Sequence, residues 1–136
     1  MRVMVDTNVI ISAILKEGSL PDLVLTEVCE NHELILCDYI INESYDVAKR
    51  RFPMRIQVLD RLFAKLRYEL VSAPRHGEIQ MRDVKDQPIL NAAIENNVDV
   101  LVTGDKHFLE LDIEIPQICT PSEYRDMFIE KFNTSD

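Results

Sequence analysis

Four acidic residues fall where the sequence places the end of a strand or the start of a helix; they are Asp6, Glu43, Asp86 and Asp105. Each of them alone is also typical of a turn, a helix N-cap or a solvated helix face, and only the four together indicate a site. Four ionised carboxylates held close together repel one another and require a counter-charge. The hard cations Mg²⁺ and Mn²⁺ prefer oxygen ligands and supply that charge. A cluster of these residues would therefore bind a divalent ion of the kind that assists phosphodiester hydrolysis.

Short apolar runs alternate with helical patterns along the chain. The runs are nearly continuous and rich in β-branched residues, as expected of strands that are covered on both faces. Strands that alternate with helices predict right-handed crossovers and a mostly parallel sheet. The predicted fold class is therefore α/β, a three-layer α/β/α sandwich. The predicted strands are Arg2 to Val5, Leu34 to Cys37 and Val98 to Val102, with weaker candidates at Glu69 to Ser72 and Pro116 to Cys119.

Two helix starts carry capping signals. Ser19 is followed three residues later by Asp22, and Thr120 is followed by Pro121 and then by Glu123. A hydroxyl at the N-cap with an acid three residues on is the spacing of a capping box, and proline is favoured at the first helical position. Helices are therefore predicted to begin at both places.

The predicted elements bring the four acids to one edge of the sheet. Asp6 directly follows the first strand, and Asp105 follows the fourth strand after a turn at Gly104. Glu43 lies early in the helix after the second strand, and Asp86 begins a later helix. Ligands of open parallel sheets bind outside the carboxyl ends of the strands. Four segments that are distant in sequence are therefore expected to converge there.

Size and composition indicate one ordinary domain. The chain has 136 residues, of which 46% are hydrophobic, so a single domain over residues 1–136 can bury its own core. The N-terminal apolar run is interrupted at Asp6 and is too short for a signal peptide or a membrane span. We therefore expect a cytoplasmic protein without a membrane partner. The three cysteines, Cys29, Cys37 and Cys119, are odd in number and lack CxxC spacing, so they indicate no disulfide framework and agree with a reducing compartment.

The charge distribution is uneven. A formal net charge of −9 argues against binding nucleic acid through the overall field of the protein. Between Lys49 and Arg67, however, seven basic residues face one acid, Asp60. This stretch is either a solvated helix face or a strip that guides a polyanion, and the sequence leaves both open. Three of these basic residues represent the strip, namely Arg55, Arg61 and Lys65.

Five segments, in their order and spacing, resemble the PIN-domain nucleases, and in particular the bacterial PIN-type toxins of toxin–antitoxin systems. Together they extend over nearly the whole chain. They are Val5 to Ser12, Glu43, Asp83 to Leu90, Leu101 to Lys106 and Ile118 to Pro121.

The resemblance implies an α/β/α fold and cleavage of single-stranded RNA that depends on Mg²⁺ or Mn²⁺. It also implies a homodimer and an antitoxin protein as partners. The four acids named above match the positions of the family's metal-binding acids. Asn8 and Thr103 match polar positions that support the site, and Asp83 is a further, weaker candidate for such support. One departure is His107, where many family members carry Asp; from its place at a predicted helix start, we expect it to be exposed.

Other enzyme and signalling classes fit less well. A haloacid-dehalogenase phosphatase needs a second Asp two residues after the first, where this chain has Asn8. A receiver module needs an adjacent acid pair before its first helix, and a dinucleotide-binding domain needs a glycine-rich turn there, but glycine occurs only at positions 18, 77 and 104. The main alternative is a PIN-like module that binds RNA or protein without useful turnover, because catalysis depends on placement finer than a sequence specifies.

Overall fold

A five-stranded sheet forms the centre of the molecule in the computed structural model, which describes residues 1–74, 79, 81 and 84–129. All four strand pairings are parallel, and the spatial order is β3-β2-β1-β4-β5. The strands are β1 (Arg2–Val5), β2 (Glu33–Cys37), β3 (Glu69–Val71), β4 (Val100–Val102) and β5 (Gln117–Cys119).

Helices connect the strands, and the predicted α/β/α sandwich is confirmed. The connection from β1 to β2 and the connection from β3 to β4 run across the sheet in opposite directions. Right-handed crossovers therefore place their helices on opposite faces of the sheet. The helices are α1 (Thr7–Leu15), α2 (Leu20–Asn31), α3 (Asp38–Arg51), α4 (Ile56–Lys65), α5 (Gln87–Glu95), α6 (Lys106–Leu109) and α7 (Pro121–Tyr124), with a 3₁₀ turn at Pro53–Arg55 and a π turn at Arg125–Ile129.

The central strand β1 and its neighbour β4 supply the middle of the core. Val3, Met4 and Val5 of β1 are fully buried, and so are Leu101 and Val102 of β4. Helices on both faces remove these strands from water, which explains why their sequences are continuous apolar runs rather than alternating ones. The described helices are too short or too polar to cross a membrane.

The strand ends differ from the predicted ones by at most two residues, and one predicted capping box does not form. The fourth strand begins at Val100 rather than Val98. Asn97, just beyond the end of α5, lies in the left-handed region with φ 55°, and the chain must turn there before it can pair. The capping box at Ser19 does not form: the Ser19 hydroxyl makes no cap bond, and Asp22 accepts instead from the amide of Gly18 at 2.8 Å.

The predicted start of the last helix is confirmed. Thr120 accepts from the amide of Glu123 at 3.1 Å, and the Glu123 carboxylate accepts from the amide of Thr120 at 3.0 Å. This reciprocal pair satisfies two amides that a helix start otherwise leaves unpaired.

At the amino edge of the sheet, one guanidinium ties three strands together. Arg2 Nη1 lies 3.1 Å from Glu33 and 2.8 Å from Glu69, and Arg2 Nε donates to the carbonyl of Asn96 at 3.0 Å. The two carboxylates raise the pKa of Arg2. Because these groups are partly open to water, each ion pair is worth at most about 1 kcal/mol.

The strand order creates a crevice at the opposite edge. The chain leaves β1 toward β2 on one side, and it returns to β1 on the other side as β4. Neighbouring strands whose connections diverge in this way leave an opening outside their carboxyl ends. The segments that follow β1 and β4, which begin at Asp6 and Thr103, lie at this opening.

Candidate metal-binding site

A cleft of about 190 Å³ opens at the carboxyl edge of the sheet, and all four acids line it. Residues from α1, α3, α5 and the segments before α5 and α6 complete its wall. The lining residues are Asp6, Thr7, Asn8, Glu43, Val47, Lys85, Asp86, Ile89 and Asp105.

Asp6 is the most deeply placed of the four acids, with 2% of its surface exposed. It occupies the N-cap of α1, where its Oδ1 accepts from the amide of Val9 at 3.1 Å. Its other oxygen, Oδ2, accepts a hydrogen bond from the hydroxyl of Thr103. Both oxygens are therefore held in fixed directions before any ligand arrives.

Thr103 links two of the acids. It is fully buried immediately after β4, where its hydroxyl donates to Asp6 and accepts from the amide of Asp105 at 3.0 Å. The hydroxyl thus uses both its proton and a lone pair between the two strand ends. These contacts are what a residue that positions Asp6 and Asp105 would make.

Asp86 and Glu43 approach from two helices. Asp86 is buried at the N-cap position of α5, yet its side chain accepts no cap hydrogen bond from that helix. Glu43 is half-buried on α3, which packs against α5. A capping role therefore does not explain why a carboxylate stands at Asp86.

His107 lies beside two of these acids, Asp86 and Asp105, rather than in open solvent. Its side chain is 32% exposed, and its Nδ1 is 3.1 Å from Asp105 Oδ1 and 4.0 Å from Asp86 Oδ2. The sequence interpretation favoured an exposed histidine, and the structure differs because the His107 amide donates to the Asp105 carboxylate at 2.8 Å. That cap holds the two residues side by side, so the imidazole stays near the cleft.

Two further lining residues were not singled out from the sequence. Thr7 is buried, and its Oγ1 has no hydrogen-bond partner in the part of the chain that the structure describes. Lys85 brings a cation to the cleft beside the acids. Their direct adjacency in sequence to Asp6 and Asp86 is the signal that could have identified them.

The remaining candidates divide. Asn8 lines the cleft and is exposed, so its amide is accessible to a ligand. Asp83 lies outside the described residues. Arg55, Arg61 and Lys65 do not reach the cleft, but they line a groove of about 480 Å³ beside the C-terminal half of α1.

Burial dominates the electrostatics of Asp6. It raises the pKa of Asp6 to about 6, against hydrogen bonds from Thr103 and Val9 that lower it, while the charges of Asp105 and Glu43 raise it further. A carboxylate with a raised pKa near other carboxylates gains from a bound cation, because the cation offsets both the lost hydration and the repulsion.

The residues fit a divalent metal ion. Four carboxylates from separate elements line one cleft, together with a buried hydroxyl that has no described partner. Oxygen donors of this kind suit Mg²⁺ and Mn²⁺. In addition, Asp86, Asp105 and His107 each offer a ligand atom, and these three atoms lie within 4.8 Å of one another.

The raised pKa of Asp6 predicts how the metal-free protein responds to pH. Its folded pKa of about 6 exceeds the ordinary 3.8, so the folded state binds an extra proton as the pH falls through 6. As the pH falls from 7.5 to 5, the free energy of unfolding should rise by about 1 kcal/mol, which corresponds to about 3 to 6 °C in Tm. This gain should be lost when the pH is raised again. Thermal melts in chelator should show that Asp6→Asn lacks this part of the response.

The exposed acid Asp112 provides the control, because Asp112→Asn removes the same charge away from the cleft. That variant should keep the pH response of the unmodified chain. An equal response in the Asp6→Asn protein would contradict the assignment to Asp6.

The chain was compared with known protein families, curated proteins and solved structures. The search of curated proteins gave no match. A chain in the crystal structure of VapBC2 from Rickettsia felis bound to a DNA fragment from its promoter shares the fold, with a TM-score of 0.66 and 22% identity over 88% of this chain and 97% of that one. The sequence model of the PIN domain matches residues 2–107, which include all four acids and His107. The chain belongs to the PIN-domain family.

Proposed function

We propose that this protein is an endoribonuclease that depends on Mg²⁺ or Mn²⁺ and hydrolyses phosphodiester bonds of single-stranded RNA. The observation that carries the proposal is the convergence of Asp6, Glu43, Asp86 and Asp105 on one cleft at the strand crevice. Membership of the PIN-domain family supports it, since PIN domains are generally metal-dependent nucleases.

The four acids would hold the ion, which, when bound, supplies activation of water and stabilisation of the leaving oxygen. Thr103 fixes the direction of the Asp6 carboxylate and the backbone of Asp105. One of the acids orients the attacking water by accepting its hydrogen bond. Lys85 lies where it attracts a phosphate to a cleft that is otherwise acidic.

The proposed biological setting is a toxin–antitoxin pair in the cytoplasm, with this chain as the toxin. The fold is shared with a chain of the VapBC2 structure from Rickettsia felis, and that similarity supports an antitoxin as the protein partner. We propose in addition that the chain acts as a homodimer. The described cysteines are free thiols, which agrees with a reducing compartment.

Cleavage should require the ion and the acids. We expect the purified chain to cut a mixed pool of single-stranded RNA with Mg²⁺ or Mn²⁺ and to stop when a chelator is added. Asp6→Asn and Asp86→Asn should each lose at least about 100-fold in rate, the order of a general-base or metal contribution. Gel electrophoresis of labelled RNA measures the rate.

Asp112→Asn is again the control, because it lies outside the cleft and should cleave normally. Full cleavage in chelator, or by the Asp6→Asn protein, would overturn the proposal. Tight RNA binding with no cleavage under any metal condition would favour the alternative, a PIN-like binding module.

The metal-free cleft should be strained by repulsion, and Asp86 tests this. Because Asp86 makes no cap bond to α5, Asp86→Asn should melt at the same or a higher temperature than the unmodified chain in chelator. Mg²⁺ at ten times its dissociation constant should add about 1.4 kcal/mol to the unmodified chain, or about 4 to 7 °C. Calorimetry should find much less of this rise in the variant.

Asp112→Asn should keep the full response to Mg²⁺. The proposal that the four carboxylates form one metal site loses its support if Mg²⁺ does not change the melting temperature of the unmodified chain. A loss of several degrees by Asp86→Asn in chelator would have the same effect, because it would assign Asp86 a purely structural role.

The groove lined by Arg55, Arg61 and Lys65 is proposed to guide RNA. It lies about 10 Å from Asp6 along α1, given 1.5 Å per helical residue to Ala13. Glu17 and Asp22 also line it, so its field is less positive than the basic residues alone suggest. Phosphate contacts of this kind position a strand without reading its bases.

Replacing these three basic residues by Gln should weaken RNA binding across unrelated sequences. The slope of log K against log salt should flatten by up to about 2, since each lost phosphate contact on a single strand is worth about 0.7. Filter binding over a salt series measures it. The matched control replaces Lys49, Arg50 and Arg51, which carry the same charge in the same basic stretch but do not line the groove. A slope unchanged from that of the unmodified chain would return the groove to a solvated helix face, and equal flattening in both triple variants would contradict a special role for the groove.

A further inference from the structure

We infer that His107 is a nitrogen ligand of the ion held by Asp86 and Asp105, and that it makes this cleft select Mn²⁺ over Mg²⁺. The inference rests on the proposed function, because it concerns the same metal site. It goes further by assigning a ligand that is not a carboxylate and a preference between the two ions.

The distances suit ligands of one ion. With bonds of about 2.1 Å, two ligand atoms at right angles about an ion lie about 3.0 Å apart, and two opposite atoms lie about 4.2 Å apart. His107 Nδ1 is 3.1 Å from Asp105 Oδ1 and 4.0 Å from Asp86 Oδ2, which falls within this interval. A cation between the three groups needs only small side-chain adjustments.

The local structure holds the imidazole in place. The His107 amide donates to Asp105, which caps α6, and the next residue, Phe108, is fully buried. The side chain of His107 therefore leaves a backbone that is anchored on both sides. Such anchoring lowers the entropy lost when the ring becomes a ligand.

The ligand type determines the preference between ions. Mg²⁺ strongly favours oxygen, whereas an imidazole nitrogen suits transition metals, and affinity at nitrogen-containing sites rises from Mn²⁺ along the first row. Four carboxylates alone would bind either ion. A nitrogen donor added to the set should strengthen Mn²⁺ binding more than Mg²⁺ binding.

A competing role for His107 is a protonated counter-charge, paired with Asp105 and Asp86. The two roles predict opposite results. A ligand strengthens metal binding, whereas a cation in the cleft competes with the metal, so its removal would tighten the binding of both ions.

The experiment is calorimetric titration of the metal-free full chain with Mg²⁺ and with Mn²⁺ at pH 7.5. His107→Asn keeps the backbone cap at Asp105 and should weaken Mn²⁺ binding by about 10-fold or more, while Mg²⁺ binding changes by less than about 3-fold. His107→Asp replaces nitrogen by oxygen and should bind both ions with a reduced preference for Mn²⁺. His32→Asn is the control, because His32 also faces a carboxylate, with 3.4 Å to Glu27, but at a separate place.

Pulsed electron paramagnetic resonance of the Mn²⁺ complex provides a direct readout. The unmodified chain and His32→Asn should show hyperfine coupling from a bound ¹⁴N nucleus, and His107→Asn should not. An unchanged Mn²⁺ to Mg²⁺ preference in His107→Asn, tighter binding of both ions, or no nitrogen coupling in the unmodified chain would each overturn the assignment and leave the nuclease proposal intact. A chain that binds neither ion would overturn both.

Discussion

The register between β1 and β4 is the constraint on which the candidate site depends. Val5 is paired with Val102, so the next residues along each strand, Asp6 and Thr103, emerge opposite each other at the carboxyl edge. Their hydrogen bond follows from that pairing. A slip of one residue would turn the side chains of a strand to the other face of the sheet and separate the two groups. The apolar residues that fill the core thus also fix the geometry of the polar edge.

Helix starts contribute a second electrostatic element. Asp6 and Asp86 occupy N-cap positions of α1 and α5, each a helix of nine residues. The partial positive charge at a helix N-terminus stabilises nearby carboxylates and offsets part of their mutual repulsion. This field does not cancel the cost of burying Asp6, whose pKa remains raised to about 6. The cleft therefore tolerates its acids in the folded protein while still favouring a cation.

The sequence was sufficient for the features that depend on periodicity and on chain order. Continuous apolar runs predicted a parallel sheet, and the parallel sheet predicted that Asp6 and Asp105 would lie at one edge. What the sequence could not give was local hydrogen bonding. Ser19 and Thr120 carry similar capping signals, yet only Thr120 forms the box, because the choice depends on where Asp22 and Glu123 find the better amide. The position of His107 is a similar case. The hydrogen bond from its amide to the Asp105 carboxylate keeps its imidazole near the cleft instead of in solvent.

The two edges of the sheet have different roles. The guanidinium of Arg2 joins β1, β2 and β3 at the amino edge, whereas the candidate ligands all stand at the carboxyl edge. Between them lie the buried residues of the strands, which belong to neither polar group. Replacements among the ligands can therefore alter which ion or substrate is accepted without disturbing the ties that join the strands at the far end. Such a separation allows the ligands at one edge to be exchanged while the Arg2 ion pairs at the other edge keep the strands joined.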